Sequence, residues 1–121
     1  VRVLLVDDEP SLRKVMRRVL ERRGLEVVGE AGDGQEAVDK CRELNPDVVV
    51  LDVRMPTMDG LTALKAIKAL SPSPRVVMNS AYEDDAFKRD AAAAGAAAFL
   101  LKGALVSAAI EIITERSPDA S

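Results

Sequence analysis

The sequence predicts an α/β fold: one doubly wound, five-stranded parallel sheet covered on both faces by helices, a three-layer α/β/α sandwich. Three observations predict it. Short runs of branched apolar residues recur five times, each is followed by a stretch with helical spacing of its apolar residues, and the connections between them are short. At 121 residues, 48% apolar and 31% charged, the chain has the size and composition of one globular domain with a single core.

Val3, Leu4, Leu5 and Val6 make the first strand, apolar on both faces as an inner strand must be. Leu12, Val15, Met16, Val19 and Leu20 then recur at three- and four-residue spacing. Arg13, Lys14, Arg17, Arg18, Arg22 and Arg23 fill the other face, and Gly24 stops this first helix. Residues 26–30 form a weaker strand around Val27 and Val28. Ala37, Val38, Cys41 and Leu44 mark the second helix, closed by Asn45-Pro46. Val48, Val49, Val50 and Leu51 are the strongest strand of the chain. Leu61, Leu64, Ile67 and Leu70 follow as the third helix, ended by Ser71-Pro72-Ser73-Pro74. Residues 76–78 form the fourth strand. The fourth helix covers 83–94, opened by Glu83, Asp84 and Asp85, whose charges suit a helix N-terminus, and stopped by Gly95. Residues 97–101 are the fifth strand and 105–115 the fifth helix. The alanine-rich run 91–98 reads as tight helix packing. The ordered domain covers 1–116, and 117–121 reads as the start of a linker or a tail.

Composition removes several chemistries. With no His there is no imidazole base, no His-ligated zinc and no phosphohistidine on this chain. The lone Cys41 forms no internal disulfide, has no His to activate it, and lies on an apolar helix stripe where core packing explains it. No apolar run is long enough to span a bilayer and no signal-peptide pattern opens the chain. A net charge of −3 gives this segment no reason to bind nucleic acid. The expectation is a reduced, cytoplasmic domain.

Open parallel sheets bind ligands beyond the carboxyl ends of their strands, at the point where the strand order reverses. The residues expected there are Asp7, Asp8 and Glu9 after the first strand, Asp52 after the third, Ser80 after the fourth and Lys102 after the fifth. A single Asp at such a junction is ordinarily a cap or a turn residue. Three carboxylates, a hydroxyl and an amine converging from four strands are harder to explain that way. Two unit charges about 4 Å apart repel by about 4 kcal/mol at an effective dielectric of about 20. A bound dication resolves the crowding, and oxygen-only ligation favours Mg²⁺, with Mn²⁺ as a substitute. Mg²⁺ favours phosphate oxygens as further ligands, and Lys102 and Ser80 are suitable donors to the same group. Asp52, ending the strand predicted to be most buried, is the carboxylate best held for in-line attack on phosphorus. No residue looks like a dedicated base for onward hydrolysis. That favours a phosphoacceptor switch, which assists its own phosphorylation and slow dephosphorylation, over a turnover enzyme.

These residues resemble the receiver (response-regulatory) domain of two-component response regulators, over about residues 1–115. The carriers are Asp7-Asp8-Glu9-Pro10 after the first strand, Asp33-Gly34 with Ala37, Leu51-Asp52-Val53-Arg54-Met55-Pro56, Met58-Asp59-Gly60, Ser80-Ala81, and Phe99-Leu100-Leu101-Lys102. The Arg54-Met55-Pro56 and Phe99-to-Lys102 segments are similar to the subgroup with a helix-turn-helix DNA-binding output. The resemblance implies a flavodoxin-like fold and a role in phosphorelay signal transduction, with transcription regulation as output. It makes Asp52 the phosphoacceptor. Asp8 becomes a direct Mg²⁺ ligand, Asp7 an acidic neighbour acting through water, and the Arg54 backbone carbonyl a further ligand. Ser80 and Phe99 become the switch pair and Lys102 the counter-cation. The implied partners are a sensor histidine kinase, as phosphohistidine donor, and an output domain or partner protein. A homodimer is allowed, but no pattern carries it; no membrane partner is implied.

The chain departs from the family pattern at Gly103, where many receivers have Pro, in a shorter stretch before the fifth helix, and at Asn79, where an apolar residue is commoner. The basic face of the first helix suits either a kinase docking surface or ordinary solvation. Two other functions stay open from sequence. One is a Mg²⁺-dependent phosphohydrolase with an Asp nucleophile, although Val53-Arg54 stand where its second acid belongs. The other is a phosphorylation-independent interaction module.

Overall fold

The computed structural model describes residues 1–53, 58–80 and 84–101. The fifth helix, Lys102, Gly103, Arg54 and Glu83 all lie outside the described residues. Five parallel strands, β1 (Arg2–Val6), β2 (Glu26–Ala31), β3 (Val48–Asp52), β4 (Arg75–Ser80) and β5 (Ala98–Leu101), form one sheet in the order β2-β1-β3-β4-β5. Four helices connect them: α1 (Pro10–Arg22), α2 (Gly34–Leu44), α3 (Gly60–Lys68) and α4 (Asp85–Ala93). This is the flavodoxin-like arrangement expected.

Strand periodicity divides the core into two layers. Leu4, Val6, Val49, Leu51, Val76 and Met78 point to one face, where α2, α3 and Ala91 of α4 cover them. Val3, Leu5, Val48, Val50 and Val77 point to the other, where Met16 and Leu20 of α1 meet them. Every residue of β3 is buried, because this strand has a neighbour on each side and helices on the outer layers.

Local chemistry sets the helix ends. Pro10 occupies the first turn of α1, where its missing N–H costs nothing. Asp33 caps α2 by accepting the Glu36 N–H at 2.8 Å, and Glu36 reaches back to the Gly32 N–H at 2.7 Å. Gly24, at φ +83°, turns the chain out of α1, and Asn45 ends α2 in the left-handed region at φ +49°.

The structure moves several sequence expectations. Val15 is 52% exposed rather than part of the α1 stripe. At about 100° per residue it stands at the far edge of the apolar arc from Leu20, beyond the reach of the sheet. β2 runs one residue further, to Ala31, while Asp52 and Ser80 are the last residues of β3 and β4 rather than the loops beyond them. α3 ends at Lys68, leaving Leu70 past the helix. Asp84 caps α4, accepting the Phe87 N–H at 3.0 Å, rather than lying in its first turn. Of the alanine run only Ala91 is fully buried, with Ala92, Ala93 and Ala97 exposed, so tight packing does not explain the run.

Cys41 is buried between α2 and the sheet, and burial pushes its thiol up to about 11, as a core cysteine should be. The basic face of α1 is divided. Arg13 and Arg17 both fold onto Glu30 at the end of β2, whereas Lys14, Arg18, Arg22 and Arg23 stay exposed. Among the described residues no helix is long and apolar enough to cross a membrane.

Candidate functional site

The strand order reverses between β1 and β3, so the carboxyl ends of these two strands lie side by side at the crevice such sheets use. Asp7 follows β1 directly and is 5% exposed; Asp52 ends β3 and is 3% exposed. Asp8, exposed beside them, completes a cluster in which one carboxylate oxygen from each residue lies within 4.8 Å of the others. The three acids expected to meet therefore do meet.

Asp7 is fixed through its main chain and its carboxylate. Its N–H donates to the Ala31 carbonyl at 3.1 Å, and its Oδ1 accepts the Glu9 N–H at 2.9 Å. The Arg13 guanidinium donates to its carbonyl oxygen. Glu9 occupies the N-cap position of α1, where its carbonyl accepts the Arg13 N–H at 3.1 Å while its side chain makes no capping bond.

Asp52 is fixed from behind. The next residue, Val53, donates its N–H to the Asn79 carbonyl at 3.0 Å and accepts the Gly60 N–H at 2.9 Å. A β-carbon on Gly60 would stand 2.7 Å from the carbonyl oxygens of Asp52 and Val53, so only glycine lets α3 start this close to the end of β3. Asp59 caps α3, and the Thr62 N–H it accepts at 2.8 Å holds its carboxyl below the usual carboxylate range. The Asp59-Gly60 pair thus works as a clamp on the strand that carries Asp52. The sequence singled out Gly60 only as part of a motif; the structure gives it this role.

Ser80 ends β4, 6% exposed and in register with Leu101 of β5. Phe99, paired with Met78, is half-buried, and its ring stands 5.9 Å from that of Phe87 of α4 at 51°. Asn79, directly opposite Asp52 in the ladder, is 1% exposed, and its side-chain Oδ1 has no hydrogen-bond partner. It lines a cavity of about 10 Å³ with Leu5, Arg13 and Met16, beneath the Asp7 loop. That is roughly the space of one water. Lys102 and the Arg54 carbonyl fall outside the described residues. Arg13 and the polar core position of Asn79 are parts of the site's surroundings to which sequence reasoning gave no role.

The donor set fits a hard dication. The cluster offers three carboxylate oxygens, the chain has no His, and Cys41 is buried in the layer under α2. All three oxygens lie within 4.8 Å of one another, so the cluster would offer a hard cation oxygen-only ligation.

Comparison with known proteins agrees with this geometry. Residues 3–116 match the family model for the response regulator receiver domain. The chain is 40% identical over 114 residues to the chemotaxis protein CheY of Bacillus subtilis, covering 94% of this chain and 95% of that protein. Among solved structures it is similar to the signal receiver domain of the putative response regulator NarL from Mycobacterium tuberculosis, with a TM-score of 0.85 at 38% identity. That match covers 96% of this chain and 98% of that one. It is also similar to a chain of the CheX–CheY–BeF3–Mg²⁺ complex from Borrelia burgdorferi, with a TM-score of 0.83 at 30% identity, covering 94% and 90%. An acidic crevice at the reversal of a 2-1-3-4-5 sheet, in a chain that matches the family model from residue 3 to residue 116, places this protein among the receiver domains of two-component response regulators.

Proposed function

We propose that Asp52 accepts a phosphoryl group from the phosphohistidine of a sensor kinase, with Mg²⁺ held by Asp8, Asp52 and the Arg54 carbonyl and with Asp7 acting through water. One observation carries the reading: Asp52 is buried at the end of the innermost strand, with carboxylate oxygens of Asp7 and Asp8 within 4.8 Å of its own. Receiver domains bind Mg²⁺ at such an acidic pocket. Bound there, the ion neutralises the carboxylates and the phosphoryl oxygens, so that an anion can approach an anion.

Asp52 supplies the nucleophile. Its carboxylate oxygen forms the new bond to phosphorus as the P–N bond to the donor imidazole breaks in line, and the imidazole leaves with the electron pair. The Asp59-Gly60 clamp holds the main chain from which that carboxylate projects. Lys102 is the cation for the phosphoryl oxygens, and the Ser80 hydroxyl donates to one of them. The added charge of about −1.5 to −2 draws Ser80 inward, and Phe99 follows into the space that opens. Moving such an equilibrium from 1:99 to 99:1 takes about 5.5 kcal/mol, within reach of a few charge-assisted hydrogen bonds at about 1.5–3 kcal/mol each. The changed surface of α4 and β5 is what an output domain or partner reads. Similarity to a DNA-binding response regulator of the LuxR family from Staphylococcus aureus, with a TM-score of 0.86 at 26% identity over 93% of this chain and 94% of that one, supports transcription regulation as that output.

Acetyl phosphate with Mg²⁺ should give a shifted band on Phos-tag gels that Asp52→Asn abolishes and EDTA prevents. A shift that persists in Asp52→Asn would overturn the assignment. Steady phosphate release from small phosphoesters would point to a phosphohydrolase instead.

A further inference from the structure

We propose that Arg13 is a positioning residue for the metal site, acting through the main chain of Asp7. The inference rests on the Mg²⁺ reading above and adds a residue to it. Arg13 lies on the first turns of α1, its side chain only 17% exposed. One arm of its guanidinium donates to the Asp7 carbonyl, while its Nε donates to Glu30 Oε1 at 3.0 Å. Glu30 is itself braced from other directions. Its second oxygen accepts Arg17 Nη1 at 2.6 Å, and its carbonyl accepts the Lys40 ammonium. The fork of Arg13 therefore ties the metal loop to a fixed point at the end of β2.

The consequence follows from peptide planarity. The carbonyl of Asp7 and the N–H of Asp8 share one rigid plane, so the oxygen that Arg13 holds also sets the direction in which the chain leaves for the Asp8 side chain. The Asp7 N–H is held by Ala31 and its Oδ1 by Glu9, and Arg13 adds a hold on the 7–8 peptide itself. Both carboxylates that flank Asp52 hang from that peptide. An arginine suits this task better than a lysine, because a planar fork can hold two acceptors in fixed directions and an ammonium cannot.

Charge alone predicts the opposite sign, which makes the proposal testable. A cation near an acidic pocket opposes the binding of a dication, so deleting its charge should tighten Mg²⁺. Deleting a positioning group should weaken it, and outer-shell partners of metal ligands typically contribute 10–100-fold in affinity. Isothermal titration with MgCl₂ alone is expected to show about tenfold weaker binding in Arg13→Met. Arg13→Lys, which keeps the charge without the fork, should remain several-fold weak. Lys14→Met, which removes an exposed charge from the same helix, should bind as tightly as the parent or slightly tighter. Melting in EDTA reports folding separately. Should Arg13→Met fail to fold, Arg17→Met, which removes a cation yet loosens the anchor Glu30, should show a smaller weakening where charge alone again predicts tightening. Unchanged or tighter Mg²⁺ binding in the folded Arg13→Met or Arg17→Met variant, or full affinity in Arg13→Lys, would overturn the role of Arg13 while leaving the metal site standing. Absence of Mg²⁺ binding in the parent chain would overturn the metal reading itself, and this proposal with it.

Discussion

The two ends of the sheet contrast sharply. At the amino-terminal end, polar groups serve the backbone. Arg2 donates its N–H to Asp47 Oδ2 and a guanidinium N–H to the Asn45 carbonyl, each at 2.8 Å, and the Arg75 N–H meets the Asp47 carbonyl at 3.0 Å. That end also carries a cleft of about 210 Å³ walled by Pro46, Pro72 and Cys41. At the carboxyl end Asp7, Asp52, Asn79 and Ser80 are brought together, each nearly out of reach of solvent. Among the described residues these four are the buried polar ones. A chain does not remove carboxylates from water without a compensating interaction. Among the described residues, the convergence of buried polar side chains distinguishes the carboxyl end.

Three substitutions would break or sharpen this contrast. The largest effect belongs to Gly60→Ala, which forces a methyl against the carbonyls of Asp52 and Val53. It should lower stability by about 2–3 kcal/mol in denaturant melts, whereas Ser73→Ala at the opposite end should stay within about 0.5 kcal/mol. Equal effects at both ends would remove the distinction. Next comes Asp8→Asn. Two unit charges at the outer limit of the cluster, 4.8 Å, repel by about 3.5 kcal/mol at an effective dielectric of about 20, a figure that solvent at the exposed Asp8 reduces to about 1–2 kcal/mol. In EDTA this variant should therefore melt higher than the parent, and the rise in melting temperature that Mg²⁺ gives the parent should vanish. A variant that melts lower in EDTA would show that the acids do not strain one another. The smallest effect is expected from Asn79→Val. Replacing an amide whose Oδ1 is buried without a partner by an apolar side chain should raise stability by about 1 kcal/mol, read by urea midpoint. A loss would mean that a bridging water satisfies that oxygen.

How much of this was legible in the sequence depended on how each residue acts. β3 announced itself because burial on both faces demands a continuous branched run, and Val48 to Leu51 is one. The meeting of Asp7, Asp8 and Asp52 followed from strand ends and parallel topology, which need no side-chain detail. Val15 misled because a five-residue apolar arc is wider than the strip of sheet it faces. The alanine run misled because small side chains give little contrast between buried and exposed positions. Arg13 left no signature, since a side chain bonded to a carbonyl can be recognised only once the chain has folded. Gly60 lay in a quoted motif, but the reason for its smallness is a contact across the fold with Asp52.

β3 has hydrogen-bonded neighbours on both sides, whereas β5 closes the sheet with β4 on one. Asp52 therefore stands on an immovable post, and Phe99 on a border that can yield. In the reading proposed above, a charge added at the post enters at the middle of the sheet and reaches Phe99 on one of its two margins, the other being β2.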